Sequence, residues 1–269
     1  MSSTKDHCIS SLSDILDLAL PNTPGKVHHR YRSNYIFRGL SDEKYDLQST
    51  LNRVCGNHLE LEGPLLRNFK KYASPETTSS SNFWEVLALA QHHGLPTRLL
   101  DWSVSPYVAA HFATESFADY GKDAAIWCLD CVHYRNYLPA ELREILEKEY
   151  AYTFTTEMLG NKYESFDDLP KRDDGKPYPI IFEPPSIDQR IINQYAYFSV
   201  MSDPSILISD WLKEHTDLYF RIIIPKEHKL LIRDELDHIN ISERTIYPGL
   251  DGLCQWLKRY YTPYDKIYP

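Results

Sequence analysis

Apolar positions repeat at helical spacing near the start of the chain. Leu12, Ile15, Leu16 and Leu20 mark a short amphipathic helix over Ser11 to Leu20, ended by Pro21 and Pro24-Gly25. The aromatic and β-branched run from Arg32 to Gly39 predicts a strand. Leu59 to Tyr72 predicts a helix with Pro64 near its start, and Ser74 to Ser81 a polar loop. Asn82 to His93 gives the clearest helix. Asn82 caps it, Glu85 completes a capping box, Phe83, Leu87 and Ala90 share a face, and Gly94 stops it ahead of Pro96. Arg98 to Asp101 is a short extended piece. Ser105 caps a second helix that Pro106 opens, running to Tyr120 and Gly121. Ala124 to Leu129 is an apolar strand, Glu141 to Glu149 a charged helix, and Asn161 to Lys176 a polar excursion. Tyr178 to Phe182, Tyr195 to Met201 and Tyr219 to Ile224 predict strands. Asp203 and Pro204 open a helix through Glu214, and Leu250 to Tyr260 forms the last one. Strands and helices mix without regular β-α alternation. The expectation is an α+β fold, one domain over residues 1–269, with a mixed, mostly antiparallel central sheet flanked by helices and an N-terminal helix and lead-in over 1–31.

Composition narrows the function classes. At 42% apolar and 25% charged residues the chain can fill a core. Its 20 tyrosines suit half-buried walls, where a ring packs and a hydroxyl stays polar. A net charge of −9 without a basic arm argues against general nucleic-acid coating. No apolar run is long enough for a membrane span, and the first residues lack an apolar signal core. Five scattered cysteines fit a reducing cytoplasm. Cys128, Cys131 and His133 lack a second ligand pair, and the adjacent pairs His28-His29 and His92-His93 diverge, so no metal site is expected. Neither a GxxxxGK phosphate loop nor a GxSxG elbow occurs.

Three segments carry candidate chemistry. Arg38, inside an aromatic strand, needs an anion or several acceptors; it either grips a phosphate or carboxylate or pairs with water or a core acid. Gly39 lets a backbone or a ligand approach closely. The segment from Gln91 to Trp102 gathers His92, His93, Thr97, Arg98, Asp101, Trp102 and, just beyond, Ser103 at a helix-turn-strand junction. Bare amides at the start of the Pro106 helix suit an anion there. The alternative is an internal Arg98–Asp101 pair with the histidines capping a helix. In the third segment, Gln189, Arg190 and Gln194 precede a strand and face either a pocket or solvent.

These residues resemble the FRG domain family, named for its phenylalanine/tyrosine-arginine-glycine motif, here Phe37-Arg38-Gly39. Tyr45 to Arg53 is similar to the family's L-x-P-S-L-x-R stretch. Ala90-Gln91-His92-His93-Gly94-Leu95-Pro96-Thr97-Arg98-Leu99-Leu100-Asp101-Trp102 matches its longest motif, and Ser105-Pro106 and Ala109 to Ala113 continue it. Arg190 to Phe198 resembles R-x-x-x-Q-x-G-x-F, and Pro248 to Leu253 the closing segment. The likeness spans 35 to about 258, with Gln48 in place of the usual proline and Ala196 in place of the usual glycine. The order of an arginine strand, a polar strand, an alanine-rich helix and an apolar strand also looks like the layout of ADP-ribosyltransferases. That resemblance implies a nucleotide-type anionic ligand, with NAD as the leading cofactor or substrate. It implies Arg38 and Arg98 as anion ligands among Gly39, Thr97, Trp102, Ser103, Arg190 and Gln194. It further implies Asp101 as the acid residue, with His92 or His93 orienting ribose or leaving group. The family's late glutamate has no counterpart, because Gln189 and Arg190 stand there. A protein target, and a role as a bacterial or phage-conflict effector, follow from the likeness to toxin transferases. A binding module without turnover and a purely structural arginine–aspartate network remain open beside it.

Overall fold

The structure, a computed structural model, describes residues 6–21, 29–73, 82–186 and 188–267. The polar loop expected over 74–81, the Pro24-Gly25 stop and His28 lie outside these residues.

Eight strands form one sheet: β1 (Asp6–Cys8), β2 (Tyr35–Leu40), β3 (Leu100–Ser103), β4 (Ala124–Asp130), β5 (Phe154–Thr155), β6 (Pro179–Glu183), β7 (Ala196–Met201) and β8 (Tyr219–Ile224). Their spatial order is β1-β8-β4-β2-β3-β7-β6-β5. Only the outer pairs β1/β8 and β5/β6 are parallel. The mixed, mostly antiparallel sheet flanked by helices is the expected α+β architecture.

The helices are α1 (Leu12–Ala19), α2 (Thr50–Cys55), α3 (Glu62–Tyr72), α4 (Phe83–His92), α5 (Pro106–Thr114), α6 (Ala140–Lys148) and α7 (Thr156–Gly160). They continue with α8 (Gln189–Gln194), α9 (Ile208–Glu214), α10 (Lys229–His238), α11 (Glu243–Ile246), α12 (Leu250–Tyr260) and α13 (Tyr264–Ile267).

Successive strand residues point to opposite faces, so β2 and β4 each feed two cores. On one face Ile36, Trp102, Leu129 and Phe198 pack with α4 and α6. On the other, Phe37, Ile126, Cys128 and Ile222 pack with α1, α5 and α10. β4 is buried along its whole length, which is why its sequence is a continuous apolar run and not an alternating one.

Two helical expectations are corrected. α5 ends at Thr114, short of Tyr120. The Tyr120 hydroxyl donates to the Thr114 carbonyl at 2.8 Å, taking an acceptor that a longer helix would use. Asp203 and Pro204 do not open a helix. The Asp203 carboxylate accepts from the Ser205 amide and hydroxyl at 2.9 and 2.7 Å, closing a local turn, and α9 begins only at Ile208. The run from Asp188 to Gln194 is a helix and not a strand entry: Asp188 caps α8 by accepting from the Ile191 amide at 3.0 Å. The extended piece after Arg98 is shifted, since β3 starts at Leu100.

Candidate functional site

β2 and β4 pair at six positions, from Tyr35↔Asp130 to Leu40↔Ala125. On its other side β2 meets β3 at one, Phe37↔Ser103. Beyond that bridge the sheet splits, and a cleft of about 650 Å³ opens over the gap.

Arg38 sits at the split, its side chain 15% exposed. Its Nη1 donates to the Asp101 carbonyl at 2.6 Å and lies 3.8 Å from the Asp101 carboxylate. The arginine thus reaches a strand carbonyl across the gap where the ladder has stopped. Its Nε is buried and has no hydrogen-bond partner among the described residues. Burial works against the Arg38 charge and lowers its pKa, Asp101 opposes that effect, and the neighbouring Arg53 adds to it.

Gly39 serves a backbone approach. A Cβ there would collide with the Ala109 carbonyl oxygen and the Ala113 amide nitrogen, so α5 lies on β2 at a distance that only glycine permits. The alanines of the long motif are the other half of this contact, since Ala109, Ala110 and Ala113 are fully buried against β2.

The capping box at Asn82 and the stop at Gly94, whose φ is +83°, set the end of α4 over the cleft. There Gln91 bridges the turn and the strand that follow it: its Nε2 donates to Asp101 Oδ2 at 2.9 Å, and its Oε1 accepts from the Thr97 hydroxyl at 2.6 Å. His92 Nε2 pairs with the Asp188 carboxylate, joining α4 to the start of α8. Burial lowers the His92 pKa against the pull of Asp188. His93 ends the helix with its ring edge-on to His92 at 5.2 Å.

From the opposite wall α8 supplies Arg190 and Gln194. The Ser103 hydroxyl donates to the Gln194 carbonyl at 2.7 Å, and the Trp102 indole donates to Ser199 at 2.7 Å. Ala196, in the usual glycine position, is unstrained, because the left-handed residue is its neighbour Tyr195, with φ 48°.

The cleft lining therefore unites Arg38, Gly39, His92 and His93 with Asp101, Trp102, Ser103, Arg190 and Gln194. Thr97 and Arg98 are not part of it. Thr97 is fully buried. Arg98 pairs with the buried carboxylate of Glu62 and lies over the Phe166 ring at 4.1 Å. An Arg98–Asp101 pair is thus absent among the described ion pairs, and Asp101 faces Arg38 and Gln91 instead. At the start of α5, Ser105 caps the Val108 amide at 3.4 Å, as expected, which leaves that amide no longer bare.

Arg53, Gln91 and Glu115 are lining residues that escaped the sequence reading. Arg53 ends the Tyr45 to Arg53 motif: Ser49 caps α2, Leu47 and Leu51 enter the core, and Arg53 is left at the cleft. Gln91 belonged to the long motif without being singled out. Glu115 follows α5 directly, and expecting that helix to continue to Tyr120 hid it. The cleft then holds Arg38, Arg53 and Arg190 against the carboxylates of Asp101 and Glu115, a cationic surplus on an acidic protein. Such a surplus can receive a group carrying more than one negative charge.

Residues 33–122 match the family model of the FRG domain. The chain carries an FRG domain, whose matched span contains β2, the α4–β3 junction and α5. α8 and the Pro248 to Leu253 segment lie beyond the match. No curated protein and no solved structure matches the chain. No helix among the described residues is long and apolar enough to cross a membrane.

Proposed function

We propose that the FRG domain binds a nucleotide-type anion in the cleft at the split of the sheet, with phosphate at Arg38 and Arg53 and NAD as the leading candidate. The observation that carries this reading is Arg38: a largely buried guanidinium with an unpartnered Nε, beside a second arginine in an open cleft. Burying a cation next to another cation is costly, and an anion spanning both offsets that cost.

A second reading adds turnover by an NAD-consuming transferase or glycohydrolase. It is favoured by the carboxylates of Asp101 and Glu115, which line the same cleft as the arginines. A carboxylate near a cationic ribosyl centre is what cleavage of that bond requires. In this reading His92 or His93 orients the ribose or leaving group. The ADP-ribosyltransferase likeness supports it by layout alone.

The test is thermal unfolding with and without millimolar NAD, ADP or pyrophosphate, following NAD in the same tubes. A ligand bound only to the folded state raises the midpoint by mass action, about 2.7 kcal/mol at a hundredfold excess over Kd. A raised midpoint with intact NAD identifies a binding module, and one with NAD loss the enzyme. An unchanged midpoint with all three compounds overturns the proposal.

A further inference from the structure

Glu115 is anchored through a single oxygen. Its Oε2 accepts from the Tyr247 hydroxyl at 3.0 Å and lies 3.4 Å from His111 Nε2, a buried nitrogen that makes no hydrogen bond among the described residues. His111 is fully buried, and its Nδ1 is 2.8 Å from Arg233 Nη1. An arginine nitrogen can only donate, so Nδ1 accepts and the ring proton of neutral His111 sits on Nε2, toward Glu115. Burial, reinforced by the Arg233 charge, lowers the His111 pKa and keeps the ring neutral. Arg233 is fixed in turn by its ion pair with Glu243 at 2.7 Å.

Tyr247 is equally constrained. A Cβ at Gly252 would strike the Tyr247 carbonyl oxygen, so α12 packs tightly on the turn that carries this tyrosine. Arg190 lies over the Tyr247 ring at 5.2 Å. Burial, with Glu115 adding to it, raises the Tyr247 pKa, so the phenol remains a donor.

The other oxygen of Glu115, Oε1, makes no hydrogen bond among the described residues, and the side chain is 37% exposed in the cleft lining. A carboxylate fixed through one oxygen and open at the other is an acceptor waiting for a donor. The cleft's phosphate-seeking cations are Arg38, Arg53 and Arg190, so the donor belongs to an uncharged part of the same ligand.

We infer that Glu115 contacts the ligand, accepting hydrogen bonds from its vicinal sugar hydroxyls, and that Tyr247 is its positioning residue. The cleft then selects ribonucleotides over nucleotides lacking the diol. An acidic side chain suits that task because the diol offers two donors that water-exposed carboxylates readily take. This inference rests on the nucleotide reading of the cleft.

The experiment is calorimetric titration of ADP and of 2′,3′-dideoxyadenosine diphosphate into the full chain and into Glu115→Gln and Tyr247→Phe, whose urea midpoints are measured alongside. The wild type is expected to bind ADP at least tenfold more tightly than the dideoxy compound. Glu115→Gln is expected to bring ADP down to the dideoxy level while leaving dideoxy binding within twofold. Tyr247→Phe, which keeps its ring over Arg190, is expected to lose part of the preference. Equal affinity of the wild type for both compounds, or an equal loss of both in Glu115→Gln, overturns the inference and leaves the nucleotide reading standing. Binding of neither compound by the wild type overturns both.

Discussion

Arg38 and Asp101 meet across the split in the sheet, guanidinium Nη1 to backbone carbonyl at 2.6 Å, just beyond the Phe37–Ser103 bridge of β2 and β3. This single bond leaves most of the fork's donors uncommitted. Arg38→Ala is expected to cost about 1.5–3 kcal/mol, the usual contribution of a hydrogen bond to a charged group. It is also expected to abolish ligand-induced stabilisation. Urea denaturation and midpoints with pyrophosphate measure the two effects on the same variant.

Gly39→Ala acts on the fold, because its Cβ meets α5 backbone atoms that no rotamer change can move. Destabilisation of about 1–3 kcal/mol, or more if α5 must lift off β2, is expected from overpacking. The urea midpoint of the variant reads it directly.

Glu62 and Arg98 form a pair away from the cleft, with Glu62 buried and Arg98 backed by Phe166. Glu62→Gln leaves Arg98 without its counter-charge and is expected to cost about 3–5 kcal/mol. The fraction that remains folded should bind pyrophosphate as tightly as the wild type. A weakened affinity at full folding would move Arg98 back into the site.

The buried ionic cluster makes a pH prediction. Burial works against the charge of Glu243, but Arg259 and Arg233 outweigh it and hold its pKa to about 2. The unfolded value is about 4.3, so the group releases its proton more easily in the folded state. Its stabilisation is present above pH ~5 and is lost as pH falls toward 2, on the order of 3 kcal/mol in all. His111, with its lowered pKa, adds to the same acid limb below its unfolded value of about 6.5. Urea midpoints from pH 7 to 3 should fall steeply for the wild type and less steeply for Glu243→Gln.

Much of this arrangement was legible in the chain itself. The Asn82 cap and the Gly94 stop are local signals, and they set the α4–β3 junction where it was expected. The cleft residues Arg38, His92, Asp101 and Ser103 lie in segments whose composition already marked them. What could not be read depends on contacts distant in sequence. Arg98 has Glu62 as its partner, 36 positions earlier, so proximity suggested Asp101 instead. Glu115 acquires its place from Tyr247, 132 positions later. The six polar-rich residues of α8 follow a cap at Asp188, but their helix is too short to show a clear period before β7 begins.

The most direct measurement is calorimetric titration of NAD and pyrophosphate into the wild type and into Arg38→Gln/Arg53→Gln. The account predicts saturable binding to the wild type and at least tenfold weaker binding to the variant, whose folding is verified by its urea midpoint. Absence of binding to the wild type, or equal affinity in both proteins, would contradict a phosphate site at the split between β2 and β3.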